Sequence, residues 1–162
     1  MGRESMPAAS GRTSTATSTK IQRRVPDANR RPRGLLDTSV VIDLDIVADD
    51  SLPIESSISV LTLAELAAGP HATDDPLERA RRQESIQRAE ARLDALPFDA
   101  DTARSYGRVY AAVAAAGRKP RGARTVDLLI AATALAYGLP LFTRNPRDFE
   151  SLEDLIEVVR VP

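Results

Sequence analysis

The segment 125–137 constrains this chain more than any other. Val126, Leu128, Leu129, Ile130, Ala131, Ala132 and Leu135 leave no polar face for water, so a helix here is expected to be covered on all sides. No apolar run approaches the length of about 18 residues that spanning a bilayer requires, so the cover must be protein. Asp127 is the one carboxylate in this helix. Gly138 ends it. The runs on either side of such a helix must supply the surface that buries it.

Short apolar runs do appear at the right places. Gly34-Leu-Leu-Asp37 ends in an acid, 54–61 alternates through Ile54, Ile58 and Val60, 139–142 reads as a strand, and 156–161 reads as a last strand. Between them lie helical patterns. One begins at Thr38 with Val40, Val41, Leu44 and Val47 inward, and 62–68 is a short helix stopped by Gly69-Pro70. A charged helix over 76–96 turns Leu77, Ala80, Ala89, Leu93 and Leu96 to the core. Asp99 or Asp101 caps another, whose inner stripe is Ala103, Tyr106, Tyr110 and Val113. The segment 145–152 is a short helical turn. Helices alternating with short apolar strands predict an α/β domain with a small, mostly parallel sheet.

Charge divides the 162 residues into two parts. Residues 1–33 carry eight Lys/Arg against Glu4 and Asp27, a net of +6, whereas 34–162 carry 14 basic and 21 acidic side chains, a net of −7. The first part is rich in Ser, Thr, Pro and Arg and is expected as a disordered basic tail, because it has too little apolar surface to offset ordering entropy. Two readings of it stand: an arm attracting RNA or a protein partner, or an upstream extension without a role, the natural start lying nearer Gly34. It lacks the apolar stretch of a secretory signal, so a cytoplasmic location is expected. The folded unit is expected to be 34–162, a single domain.

Composition then limits the chemistry. There are no cysteines and one histidine, His71, in a Gly-Pro-His turn. Thiol catalysis and zinc fingers are thereby excluded, and a single histidine argues against a His-rich metal site or a Ser-His-Asp triad. Carboxylates remain, and they fall at helix starts: Asp37 after the first strand, Glu65 after the second, Asp127 opening the buried helix, and Asp148 after 139–142. Each has a local structural explanation. Thr62-Leu-Ala-Glu65 matches a capping box. Asn145-Pro-Arg-Asp148 resembles an Asn cap with Pro at the first helical position. Asp127 suits a helix dipole, and Asp37 a helix start. Together they point elsewhere, because ligands of an open parallel sheet bind outside the carboxyl ends of its strands. Two carboxylates at 4 Å repel by about 4 kcal/mol at an effective dielectric of 20, so such a cluster calls for protons or cations. Oxygen donors without Cys or His select Mg²⁺ or Mn²⁺ over zinc.

Four stretches carry a resemblance. Leu35-Leu-Asp37-Thr-Ser-Val-Val-Ile-Asp43, Val60-Leu-Thr-Leu-Ala-Glu65-Leu, Asp127-Leu-Leu-Ile-Ala-Ala-Thr-Ala and Leu141-Phe-Thr-Arg-Asn145-Pro-Arg-Asp148-Phe resemble, in order and spacing, the PIN-domain ribonucleases. The similarity is greatest to the toxins of bacterial VapBC toxin–antitoxin pairs, and it covers essentially all of 34–162. It implies a three-layer PIN-like fold and a metal-dependent endoribonuclease that hydrolyses RNA by metal-activated water. Asp37, Glu65 and Asp127 match the family's first three metal-facing acids, and Asp148 the acid before Phe in the last motif. Many relatives carry an acid where this chain has Asn145, so the fourth metal-facing group is either Asp148 or Asn145. Thr38, Ser39 and Thr143 match positions whose hydroxyls bind metal-bound water or phosphate, with helix capping the alternative for Ser39.

Phosphate contacts are expected from Arg121 and Arg124 in the basic loop that also holds Arg118 and Lys119, and from Arg144 and Arg147 around Asn145. A solvated loop is the alternative for that charge run. The resemblance further implies a homodimer and a small antitoxin, joined in a heterotetramer or larger assembly. The antitoxin's C-terminal segment would lie in a groove between the early helices and the helix from Pro76. A catalytically inactive PIN-like scaffold, binding RNA or protein, is the alternative function. A phosphatase or receiver domain using Asp37 as nucleophile fits poorly: Ser39 stands where the former needs a second acid, and Lys20 and Lys119 are the only lysines available to the latter.

Overall fold

The computed structural model describes Met1, residues 30–119, Gly122 and residues 124–162. Five strands, β1 (Arg33–Leu36), β2 (Glu55–Ser59), β3 (Asp94–Leu96), β4 (Leu141–Thr143) and β5 (Val158–Arg160), pair in the order β3-β2-β1-β4-β5. Every pairing is parallel. From β1 the chain steps outward to β2 and β3, then crosses to the other side of β1 for β4 and β5. The order therefore reverses between β1 and β4, and a crevice opens there at the carboxyl ends of the strands.

Parallel strands covered on both faces read as continuous apolar runs, and β1 and β4 do. Leu35 and Leu141 face one core layer, Leu36 and Phe142 the other. The first layer is filled by α5 (Arg124–Tyr137) and α4 (Ala100–Ala115), through Leu128, Ile130, Ala131, Val109 and Val113. The second is filled by α1 (Thr38–Ile42), α2 (Val60–Ala68) and α3 (Pro76–Arg92), through Val40, Val41, Leu66, Ile86 and Ala89. The expected three-layer arrangement around a parallel sheet is thus present, with α5 buried as its composition requires. Gly138, at φ +62°, ends that helix in the left-handed region. Among the described residues no helix is long and apolar enough to cross a membrane.

Several local expectations are corrected. The helix over 76–96 stops at Arg92, because Asp94–Leu96 pairs with β2 as an edge strand. Its core contacts are Ile86 and Ala89, while Leu77 is 61% exposed and Ala80 is exposed too. The inner stripe of α4 is as expected at Val113, which is buried, and at Tyr106, which packs against the core, but Thr102 and Val109 are buried in place of Ala103, which is exposed, and Tyr110, which is 47% exposed. The folded unit also begins earlier than Gly34. Arg33 opens β1, and Arg30 donates from Nε and Nη2 to the carbonyls of Leu52 and Pro53. The remainder of the expected tail, 2–29, lies outside the described residues.

Gly34 marks a close approach in the sheet. A Cβ there would meet the Phe142 ring at 2.4 Å and Pro53 at 3.0 Å. Phe142 is 3% exposed and cannot swing aside. Gly34→Ala is therefore expected to destabilise the fold by about 1–3 kcal/mol, the usual range for overpacking, read as a lower midpoint in denaturant unfolding.

Candidate active site

The crevice at the β1–β4 switch collects the four acids. Asp37 follows β1 directly and is only 5% exposed. Its Oδ2 accepts hydrogen bonds from Ser39 Oγ (2.6 Å) and Thr143 Oγ1 (2.8 Å), the latter from the end of β4. Two hydroxyls from two elements thus hold one carboxylate oxygen. Glu65 comes from α2, where Oε2 accepts from Thr38 Oγ1 at 2.6 Å. Asp127 stands in the first turn of α5, and Asp148 in the first turn of the 3-10 helix Pro146–Leu152.

The convergence is legible in the electrostatics of Asp127. Its carboxyl is pushed up to about 6, first by burial and then by the negative charges of Asp37, Glu65 and Asp148, with Arg124 pulling back. One group senses the other three, although they are separated by up to 111 residues of chain.

The local explanations for these acids fail in three of four places. α2 is capped by Ser59, which accepts from the Leu61 amide at 3.2 Å, so Thr62 lies inside the helix and no capping box forms. Thr62 is buried and its hydroxyl has no partner among the described residues. Asn145 occupies a cap position without a side-chain cap bond, and so does Asp37. Asp127 alone keeps the dipole explanation, at a helix start where its charge is also costly.

Thr38, Ser39 and Thr143 each donate to a carboxylate, so in this structure their protons orient the acids. Ser39 Oγ and Thr143 Oγ1 also accept the Arg144 and Asn145 amides at 3.2 and 3.0 Å, tying the loop after β4 to the site. Among the arginines, Arg144 pairs with Asp43, Arg118 with Glu150 at 3.0 Å, and Arg124 donates to the Asp148 carbonyl at 3.1 Å. Their charge is partly committed within the fold. Arg121 lies outside the described residues. Arg160, at the end of β5, was not singled out by the sequence: a lone arginine near the end of the chain carries no motif, and only the sheet brings it beside Asn145 and Asp148.

All the donors here are oxygens, and a mutually repelling carboxylate set is what a hard cation stabilises. Among the described residues no three acids stand close enough to grip one ion together, so the donor set fits in chemistry and must draw in to bind. A groove of about 600 Å³ leads away on the β2 side, lined by Thr38, Ile42, Glu65, Leu66, Arg81 and Arg88. It runs between the early helices and α3, where the resemblance places an antitoxin segment.

Comparison with known proteins agrees with this geometry. The PIN domain family model matches residues 34–155. The chain belongs to the PIN-domain family. Within it, the chain is 36% identical to Ribonuclease VapC5 of Mycobacterium tuberculosis over 133 residues, covering 79% of this chain and 95% of that protein. It is 32% identical to Ribonuclease VapC of Rickettsia bellii, with 79% and 96% covered. The crystal structure of VapBC-5, a toxin–antitoxin system from M. tuberculosis, superposes with a TM-score of 0.71 at 34% identity, over 80% of this chain and 99% of that one. DNA-bound VapBC from Salmonella typhimurium gives a TM-score of 0.61 at 26% identity, over 78% and 96%. This PIN domain is thus of the VapC type in sequence and in fold.

The charge of Asp127 opposes folding. The folded state keeps its proton to about pH 6 while the unfolded chain loses it near 3.8. Stability contributed by this group is therefore present below pH 3.8 and lost as pH rises through 6. Asp127→Asn is expected to stabilise the metal-free protein by about 1–2 kcal/mol at pH 7.5, the shift being discounted for partial exposure, with little gain at pH 4. Thermal unfolding with chelator at the two pH values measures it.

Proposed function

We propose that this chain is an endoribonuclease and the toxin of a toxin–antitoxin pair, hydrolysing RNA phosphodiester bonds with a divalent cation, Mg²⁺ or Mn²⁺. The observation that carries the reading is the coupling of Asp127 to Asp37, Glu65 and Asp148 at the topological switch point. Like charges gathered at buried and half-buried positions cost stability, and a fold that assembles four of them at its ligand-binding edge has a use for them. The names of the relatives, ribonucleases and toxin–antitoxin complexes, support the same function.

Asp37, Glu65, Asp127 and Asp148 would hold the cation, which when bound lowers the pKa of water and offsets charge developing on the phosphate. The chain's own residues set the geometry. Ser39 and Thr143 orient Asp37, and Thr38 orients Glu65, so these two carboxylates are aimed before the set draws in on the cation. Asp127, titrating near neutrality, releases its proton readily when positive charge enters the cluster. The backbone N–H of Asn145 donates to Thr143 Oγ1 at 3.0 Å, which ties Asn145, the alternative to Asp148 as fourth metal-facing group, to the residue that orients Asp37. The resemblance implies water and not the 2′-hydroxyl as the nucleophile, so the expected products carry 5′-phosphate and 3′-hydroxyl ends. The groove beside Glu65 takes the antitoxin segment, whose arginine would meet the acids through charge-assisted hydrogen bonds.

Partner-free wild type is expected to make discrete cuts in total cellular RNA with Mg²⁺ or Mn²⁺, and none with chelator. Asp127→Asn is expected to lose at least about 100-fold in rate while remaining folded. No cutting by folded wild type with either metal would overturn the nuclease in favour of an inactive scaffold, and 2′,3′-cyclic phosphate ends would overturn the mechanism. Thr143→Val, which removes one of the two donors to Asp37 Oδ2, is expected to lower kcat by about tenfold with KM little changed, measured on a fluorogenic RNA oligonucleotide.

A further inference from the structure

The acid cluster has a second flank, on the side opposite the groove. Beyond β4 lies a notch of about 430 Å³ lined by Arg144, Asn145, Pro146, Arg147, Asp148 and Arg160. Arg144 is paired with Asp43. Arg147 and Arg160 are both exposed, and among the described residues neither has an acidic partner. The notch shares Asp148 with the acid cluster, so the two sites have a common wall.

The sheet register explains how Arg160 reaches this place. Leu36 pairs with Phe142, Thr143 pairs with Arg160, and Asp37 is the next residue after Leu36. Asp37, Thr143 and Arg160 therefore form one row across the carboxyl ends of β1, β4 and β5. Side chains alternate along a strand. Leu35, Leu141 and Val158 face the α5 layer, so the residues two further on, Asp37, Thr143 and Arg160, face that side as well. Thr143 already bonds to Asp37. Across two strand spacings, about 10 Å, the row runs from a carboxylate through a hydroxyl to an arginine with no acidic partner among the described residues.

We infer that Arg160 and Arg147 form a subsite for an RNA backbone phosphate on the β5 side of the scissile bond. The inference rests on the nuclease reading and adds the direction of the strand: from the β5 edge, over the acids, toward the groove beside Glu65. Three features favour a phosphodiester over an acidic protein segment. The notch is continuous with the acids. Its two open cations are guanidiniums, suited to planar bidentate contact with phosphate. Finally, the apolar lining that a peptide would need, Ile42 and Leu66, lies in the other cavity. Such contacts position the backbone and carry no base preference.

The test uses the full-length chain carrying Asp127→Asn, so that RNA survives, and measures binding of a fluorescein-labelled single-stranded RNA dodecamer across a salt series. Arg147→Ala and Arg160→Ala are each expected to weaken binding several-fold at low salt. Each should flatten the slope of log K against log[salt] by about 0.7, and the double variant by about 1.4. Arg160→Lys should restore most of the slope, and Arg108→Ala, on exposed α4 surface, should leave it unchanged. With the four acids intact, the double variant should raise KM and spare kcat. An unchanged slope and KM in a wild type that binds and cuts RNA would overturn the subsite alone. Loss of binding to a deca-glutamate peptide with RNA affinity unmoved would overturn it in favour of an acidic protein segment. A folded wild type that neither binds nor cuts RNA would overturn the subsite and the nuclease reading together.

Discussion

Burial of α5 is the constraint on which the rest depends. A helix with Leu128, Ile130, Ala131, Ala132 and Ala134 all inaccessible must be covered by the sheet and by α4, and that packing leaves its first turn one place to go. Asp127 is carried to the carboxyl end of β1 whether or not its charge is welcome there. Ser59 and Thr133 share a buried hydrogen bond of 3.2 Å that joins the end of β2 to the middle of α5. Such a contact fixes the helix along the sheet: Thr133 Oγ1 already donates to the Leu129 carbonyl, so slipping the helix would take the acceptor from the buried Ser59 hydroxyl proton.

Around that placement the fold accepts a local electrostatic penalty. Asp37 is nearly inaccessible and Asp127 is held well above the usual carboxylate range, so the site is destabilised when empty of positive charge. Three hydroxyls order the acids without neutralising them, since a neutral donor stabilises a carboxylate's position more than it cancels its field. The arginines nearby are mostly turned to other work: Arg144 to Asp43, Arg124 to a carbonyl, and Arg118 to Glu150. The negative potential in the crevice is thereby preserved, flanked by an apolar and charged groove on one side and an arginine-lined notch on the other.

Much of this was legible in the residues because several signals repeat one another. Alternating short apolar runs and helices define a parallel α/β sheet, and acids placed after its strands must collect at one edge. Errors arose where one surface offered two outcomes. Thr62-Leu-Ala-Glu65 satisfies a capping box as a string, but Ser59 reaches the Leu61 amide first and starts α2 earlier. On α4, alanines and tyrosines lie on adjacent stripes, and packing against α5 chose Thr102, Val109 and Val113. β3 is only Asp94-Ala95-Leu96, too short to show an alternation of its own, and pairing with β2 makes it a strand. In the case of Arg160, no local pattern separates a surface arginine from one that register brings into line with Asp37.

By itself the sequence determined the periodicities, the buried helix, the glycine at its end and the acidic character of the chemistry, because these follow from side-chain type and spacing along a single element. Tertiary structure decided which hydroxyl holds which carboxylate, how far Asp127 is shifted, which arginines remain unpaired and which flank of the site each cavity occupies. The reason is physical: these properties depend on distances between groups far apart in the chain, and only the sheet order and the packing of α5 set those distances.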